Sequence, residues 1–239
     1  MSVKGSQRAT PPSFGMIVLA GGRGTRLGGA DKPGLTVGDQ TLLASVVSAG
    51  TDAGARQVII VGPYRPDIEV TGTLCFVREE PPGAGPVPAL RRGLAELGAA
   101  PLAAILAADL PFLRAAHIRT LVSAAADAGA ILVDDEGRAQ WLAGCWRTDV
   151  LRRAAGAYAG SSLHSLLEPL QPAKVRIRPE PGEPPPWLDC DTEEDLRRAR
   201  AWLGQAGHQD APPGTTTLRS GSPAANRRTC CATNWAASG

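Results

Sequence analysis

The chain has 239 residues, with 25 Lys and Arg against 23 Asp and Glu, and a formal net charge of +2. Near-balanced charge, with basic residues scattered among acidic ones, argues against nucleic acid as a partner. No run reaches the roughly 18 consecutive apolar residues of a membrane span, and no apolar leader precedes a cleavage pattern, so the expected location is cytoplasmic and free of membrane.

The five cysteines, Cys75, Cys145, Cys190, Cys230 and Cys231, show no C-x-x-C spacing and have no histidine nearby. That excludes a zinc ribbon and leaves no disulfide framework. Cys75 and Cys145 lie in apolar runs and read as small core residues.

Taken in chain order, residues 1–14 read as a disordered lead-in, 15–204 as one domain and 205–239 as a disordered tail. Met16-Ile-Val-Leu-Ala20 is a short apolar run with the character of a buried strand. A loop rich in glycine follows at once: Gly21, Gly22, Gly24, Gly28 and Gly29, with Arg23, Arg26 and Lys32 around it. Glycines let the backbone turn sharply and present bare N–H groups, and the cations add full positive charge. Such a loop suits a polyphosphate. In a chain whose other lysines are only Lys4 and Lys174, Lys32 suggests a need for a compact point charge.

Apolar residues at helical spacing predict a helix over about 41–53, then strands at Val58–Val61 and Thr73–Val77. Arg78–Pro86 is a polar connection rich in proline and glycine. A helix is expected from Pro88 to Leu97, with Pro88 in its first turn. Leu102–Ala107 reads as a buried strand ending at Asp109-Leu-Pro111, and the next helix is expected to be closed by Gly129. Apolar strands alternating with amphipathic helices predict an α/β fold: a doubly wound, mostly parallel sheet.

After residue 130 the pattern changes. Ala130–Val133 and Gln140–Trp146 flank the polar turn Asp134–Arg138 and read as a strand pair that brings an antiparallel strand into the sheet. Helices are expected near Thr148–Ala157 and within Ser161–Leu170, and an edge strand at Val175–Arg178. Thr192 reads as the N-cap of a last helix with an acidic first turn.

Two familiar glycine loops do not fit. A dinucleotide fingerprint would need glycine at Leu27, and a Walker A loop would need Ser or Thr after Lys32, where Pro33 stands. The pattern from Leu19-Ala-Gly-Gly22 through Arg26 to Asp31-Lys32 resembles that of molybdenum cofactor guanylyltransferases, the MobA type. The resemblance covers about residues 16–204 and extends to Gly85-Pro86-Val87, Ala108-Asp109-Leu-Pro111 and the Asp191-Thr192 stretch. It implies a Rossmann-like nucleotidyltransferase fold. It also implies that Leu19, Ala20, Gly21, Gly22, Lys32, Glu80, Gly85, Pro86 and Asp109 bind the nucleotide, with Glu80 standing where the family has an aspartate. Arg26, Lys32 and Asp109 would carry the catalysis.

Magnesium is the implied cofactor, because nucleoside triphosphates arrive with it and it takes one or two carboxylates plus phosphate oxygens and water. Asp109 is the first candidate ligand, with a helix N-cap as its other reading. Asp191 is the second, balanced against a role in capping the last helix; Asp189 and Asp191 replace two asparagines of the family, and Glu193 a proline. The implied partners are GTP and a molybdopterin-type acceptor, in a monomer or weak homo-oligomer. The acceptor pocket is expected along Trp141–Arg147 and near Ser161-Ser162. Attack by an anionic phosphate oxygen needs no general base, in keeping with the isolated His117, His164 and His208. The rival readings are a CTP-dependent or other small-molecule phosphate nucleotidyltransferase, and a non-catalytic nucleotide-binding regulator.

Overall fold

The computed structural model describes residues 13–21 and 31–209, with side chains described as far as residue 203. Its first strand, β1 (Phe14–Leu19), is buried along its whole length. It begins inside the stretch expected as lead-in, because Phe14 is apolar and pairs with Leu102. After Asp31 comes a 3-10 turn (Lys32–Gly34) and a small hairpin, β2 (Thr36–Val37) and β3 (Gln40–Thr41). Helix α1 (Leu42–Ala53) follows, with Thr41 as its N-cap: the hydroxyl accepts from the Ala44 N–H at 3.1 Å.

Strands β4 (Gln57–Val61) and β5 (Thr73–Val77) come next, then α2 (Pro86–Glu96). The helix starts two residues before the expected Pro88, because Pro86 takes the first helical position, where its missing N–H costs nothing. After β6 (Leu102–Ala107), helix α3 (Ala115–Ala124) ends well before Gly129. That glycine instead opens β7 (Gly129–Val133), where a Cβ would lie 2.7 Å from the Cys145 carbonyl oxygen.

The rest is β8 (Ala139–Arg147), α4 (Thr148–Ala157), α5 (Leu163–Leu167), the edge strand β9 (Ala173–Arg176) and α6 (Glu193–Gln209). The last helix runs past residue 204, where the composition shift had placed the domain end.

Among the described residues, seven strands form one sheet in the order β5-β4-β1-β6-β8-β7-β9. Only β8 runs against the others, inserted between β6 and β7. One face is covered by α1 and α3 over Met16, Val18, Ile60, Leu106 and Leu132. The other carries α2, α4 and α5 over Ile17, Ile59, Ile105, Ile131 and Trp146. Alternate residues of one strand thus serve opposite cores, which is why these strands read as continuous apolar runs. Cys75, Cys145 and Cys190 are buried and form no disulfide. A third, smaller core joins α6 to the hairpin through Val37, Phe112, Leu196 and Ala199, with the Phe112 and Trp202 rings edge to face at 5.9 Å. Among the described residues no helix is long and apolar enough to cross a membrane.

Candidate active site

The chain leaves β1 toward β4 on one side, whereas β6 pairs with β1 on the other. The crevice where the winding reverses opens at the carboxyl ends of these strands, where open α/β sheets bind ligands. A cleft of about 770 Å³ lies there, within the range of small-molecule sites. Leu19, Ala20 and Gly21 line it. Their backbone is held on both flanks: Ala20 N–H donates to the Val61 carbonyl at 2.9 Å, and the Leu19 carbonyl accepts from Ala108 N–H at 3.2 Å. Gly62 presses against this segment, and a Cβ there would lie 2.9 Å from the Ala20 carbonyl carbon and oxygen. Only glycine allows so close an approach. Gly62 also lines the cleft; it was legible in the sequence only as the residue ending β4.

Lys32 and Asp109, 77 residues apart, meet on the floor of the cleft. The Lys32 ammonium donates both to Asp109 Oδ2 and to Asp191 Oδ1. Lys32 and Asp109 are mostly buried, with side chains 16% and 18% exposed, whereas Asp191 is 41% exposed. The capping alternatives fall to other residues. Arg114, not Asp109, is the N-cap of α3. At the start of α6 the Asp195 carboxylate accepts from the Thr192 N–H at 2.9 Å, and the Thr192 hydroxyl oxygen accepts from the Asp195 N–H at 3.1 Å. Asp191 is left to face Lys32. The approach to α6 is fixed over β6 by the Cys190 N–H, which donates to the Asp109 carbonyl at 3.2 Å.

Burial alone would pull the Lys32 pKa down, but the charges and hydrogen bonds of Asp109 and Asp191 outweigh it and hold it above the usual lysine value. The ammonium is therefore fully charged at neutral pH. Asp189 is pushed up, first by desolvation and then by the charges of Asp191 and Asp109. Among the described residues, Asp109, Asp189 and Asp191 thus gather near the Lys32 ammonium. Asp109 Oδ1 is buried with no hydrogen-bond partner, an arrangement that normally has a cause. Among the described residues no three His, Cys, Asp or Glu side chains are placed to enclose a metal by themselves. Two oxygen donors, one with an unused buried lone pair, suit a hard cation that brings phosphate oxygens and water with it.

Gly85 and Pro86 also line the cleft. Gly85 has φ 106°, a conformation that side chains rarely adopt, and it turns the chain into α2. Glu80 is not part of the wall. It is exposed, and the buried Glu79 lines the cleft instead, its Oε1 accepting from the Gly83 N–H at 2.9 Å. In an irregular loop neighbouring residues have no fixed facing, so the residue one position away took the inward place. Arg78 adds a cation to the same wall.

Gly22, Arg23 and Arg26 lie outside the described residues. The sequence reading missed Arg65, which pairs with Asp31 and ties the segment before Lys32 to the β4–β5 connection. Nothing in local spacing signals a pair 34 residues apart. No histidine lines the cleft among the described residues. His117 instead caps α3, its Nδ1 accepting from the Arg114 N–H at 3.1 Å. Burial, then the Arg114 charge, keeps its pKa below the usual value.

Of the stretch expected to line an acceptor pocket, Cys145 and Trp146 are buried in the core. Leu142 reaches the first cleft, and Trp141 borders a second one of about 620 Å³ with Arg138, His164 and Lys174.

Comparison with known proteins agrees with this architecture. Residues 16–175 match the model of the MobA-like NTP transferase domain. A probable molybdenum cofactor guanylyltransferase of Mycobacterium avium is 34% identical over 189 residues, covering 76% of this chain and 92% of that protein. Among solved structures, Rv0371c of Mycobacterium tuberculosis superposes with a TM-score of 0.64 at 20% identity, covering 80% of this chain and 100% of that one. Molybdopterin-guanine dinucleotide biosynthesis protein A of Archaeoglobus fulgidus gives 0.59 at 18% identity, covering 80% and 98%. With the matched segment spanning most of the chain and the fold shared, this protein belongs to the MobA-like NTP transferase family and is a nucleotidyltransferase of the molybdenum cofactor guanylyltransferase type.

Proposed function

We propose that the protein transfers GMP from GTP to the terminal phosphate of molybdopterin, or of its molybdenum-bearing form, and releases pyrophosphate. The observation that carries this reading is the meeting of Lys32, Asp109 and Asp191 on the floor of a cleft whose wall includes Gly21, the first glycine of the loop.

In this reading the backbone of Leu19–Gly22 and the segment Gly85-Pro86 receive the nucleotide, and Lys32 and Arg26 neutralise its phosphates. Asp109 and Asp191 would hold magnesium, whose contribution when bound is to offset triphosphate charge and polarise the reacting phosphoryl group. An acceptor phosphate oxygen attacks the α-phosphorus, the bond to the β-phosphate oxygen breaks, and pyrophosphate leaves. The attacking oxygen is already anionic, so the cleft needs no general base, in keeping with a wall that has no histidine among the described residues. Glu79 supports the choice of base. Its carboxylate is an acceptor in the cleft wall and complements the two donors, N1–H and N2–H, on the pairing edge of guanine.

The test is a panel of GTP, CTP, ATP and UTP with magnesium and molybdopterin, read by pyrophosphate release. GTP should be preferred; turnover with CTP in its place, or with a sugar phosphate as sole acceptor, overturns the reading. Within the same panel, Glu79→Gln should narrow the preference for GTP.

A further inference from the structure

We propose that Lys32 is an internal stand-in for the divalent cation: in the nucleotide-free enzyme its ammonium occupies the place on Asp109 and Asp191 that the metal takes later. The inference rests on the reading of this cleft as a metal–triphosphate site and adds an order of events to it.

Three observations carry it. The ammonium touches both candidate carboxylates at once, so the acidic pair is already neutralised in part without any metal. The only buried carboxylate oxygen of the pair left without a partner is Asp109 Oδ1, the one Lys32 does not reach. Finally, Lys32 opens a short 3-10 turn at the cleft wall, and its flexible four-carbon stem lets the ammonium swing from one partner to another. An ammonium and a dication cannot share two carboxylates at low cost, since like charges a few ångströms apart repel by several kcal/mol even with protein screening. For the metal to come in, Lys32 must leave, and it leaves cheaply only when a phosphate offers it a new partner. The cation is thus admitted as its nucleotide chelate and bound weakly alone. Nucleotide and metal each raise the affinity for the other, as linkage requires.

The usual expectation for a lysine in an active site is that its removal weakens everything. Here it should strengthen one thing. Mn2+ binding to the full-length, nucleotide-free protein, followed by electron paramagnetic resonance, should be about tenfold tighter or more in Lys32→Met than in the parent. Unchanged or weaker binding overturns the proposal. Lys32→Gln repeats the test if the methionine variant melts early. A second readout uses the unaltered protein. With only Lys4, Lys32 and Lys174 in the chain, amine labelling resolved by peptide mass spectrometry reports each lysine separately. Labelling of Lys32 should rise as Mn2+ occupies the site while that of the exposed Lys174 stays flat. A flat Lys32 across the range in which Mn2+ binds overturns the exchange. Neither measurement contains GTP or acceptor, so failure here leaves the proposed reaction standing, and failure of guanylyl transfer leaves the exchange standing.

Discussion

The two clefts differ in where their charges sit. In the first, cations and anions are in contact on a mostly buried floor, at the ends of β1 and β6 where the backbone itself is the wall. In the second, the charged groups stand at an open rim. Arg138 pairs with Glu136, their side chains 73% and 64% exposed, and His164 pairs with Glu168 at 3.3 Å, both likewise exposed. The nearest thing to a built feature there is the edge-to-face contact of Trp141 and His164 at 5.2 Å. Exposed pairs contribute little, ~0–1 kcal/mol, whereas breaking a desolvated pair leaves a costly charge behind. The lesson is that one cleft is fixed by topology and electrostatics together, while the charged rim of the other can change without disturbing the sheet beneath it.

Mutations at the two places should therefore separate cleanly. Asp109→Ala strikes the desolvated floor and should lower kcat by about 10²–10³-fold, read by pyrophosphate release, the cost of removing a central charge-stabilising group. Activity within a factor of a few of the parent would mean that the floor is not where the chemistry happens. Gly62→Val tests the backbone wall. A side chain there meets the Ala20 carbonyl and must displace the strand end, so a stability loss of about 1–3 kcal/mol in denaturant melts is expected, with weaker GTP binding. In the second cleft, Trp141→Ala should leave the KM for GTP unchanged and raise the KM for the acceptor by a few-fold, with a stability loss of about 1–3 kcal/mol because the ring also packs against the core beneath it. A change in GTP affinity instead would dissolve the distinction between the two clefts.

The smallest effect concerns Asp189. Its pKa is raised in the fold, so ionising it costs stability above the ordinary carboxylate range and costs nothing below it. Asp189→Asn should raise Tm by about a degree at neutral pH, given how exposed the group is, and make no difference in strong acid.

How far the sequence revealed these features depends on how local their causes are. The central strands β1, β4, β6 and β7 were legible because each is an apolar run serving two cores. Asp109 was legible because a carboxylate ending such a run has no ordinary packing purpose. The hairpin Thr36–Thr41 was not, since strands two residues long have no periodicity to detect. Glu79 was missed in favour of Glu80 because an irregular loop lacks the alternation that assigns faces in a strand. Arg65 and Gly62 were missed for a different reason. Their roles consist of contacts with Asp31 and Ala20, which only the folded chain brings near. The same holds for the sharing of Lys32 between two carboxylates, which is a property of three distant segments and of none alone.

The bond from Cys190 N–H to the Asp109 carbonyl has a practical consequence for anyone shortening this protein. Every strand of the sheet is complete by Arg176, and the matched family segment stops at 175. A version cut there would keep all seven strands and most of the cleft wall. It would lose Asp191, the tether that brings Asp191 over β6, and the small core in which Trp202 packs on Phe112. Such a fragment would hold Lys32 by one carboxylate instead of two. The smallest unit that keeps the whole acidic pair extends through the last helix, well beyond the point where the sheet is finished.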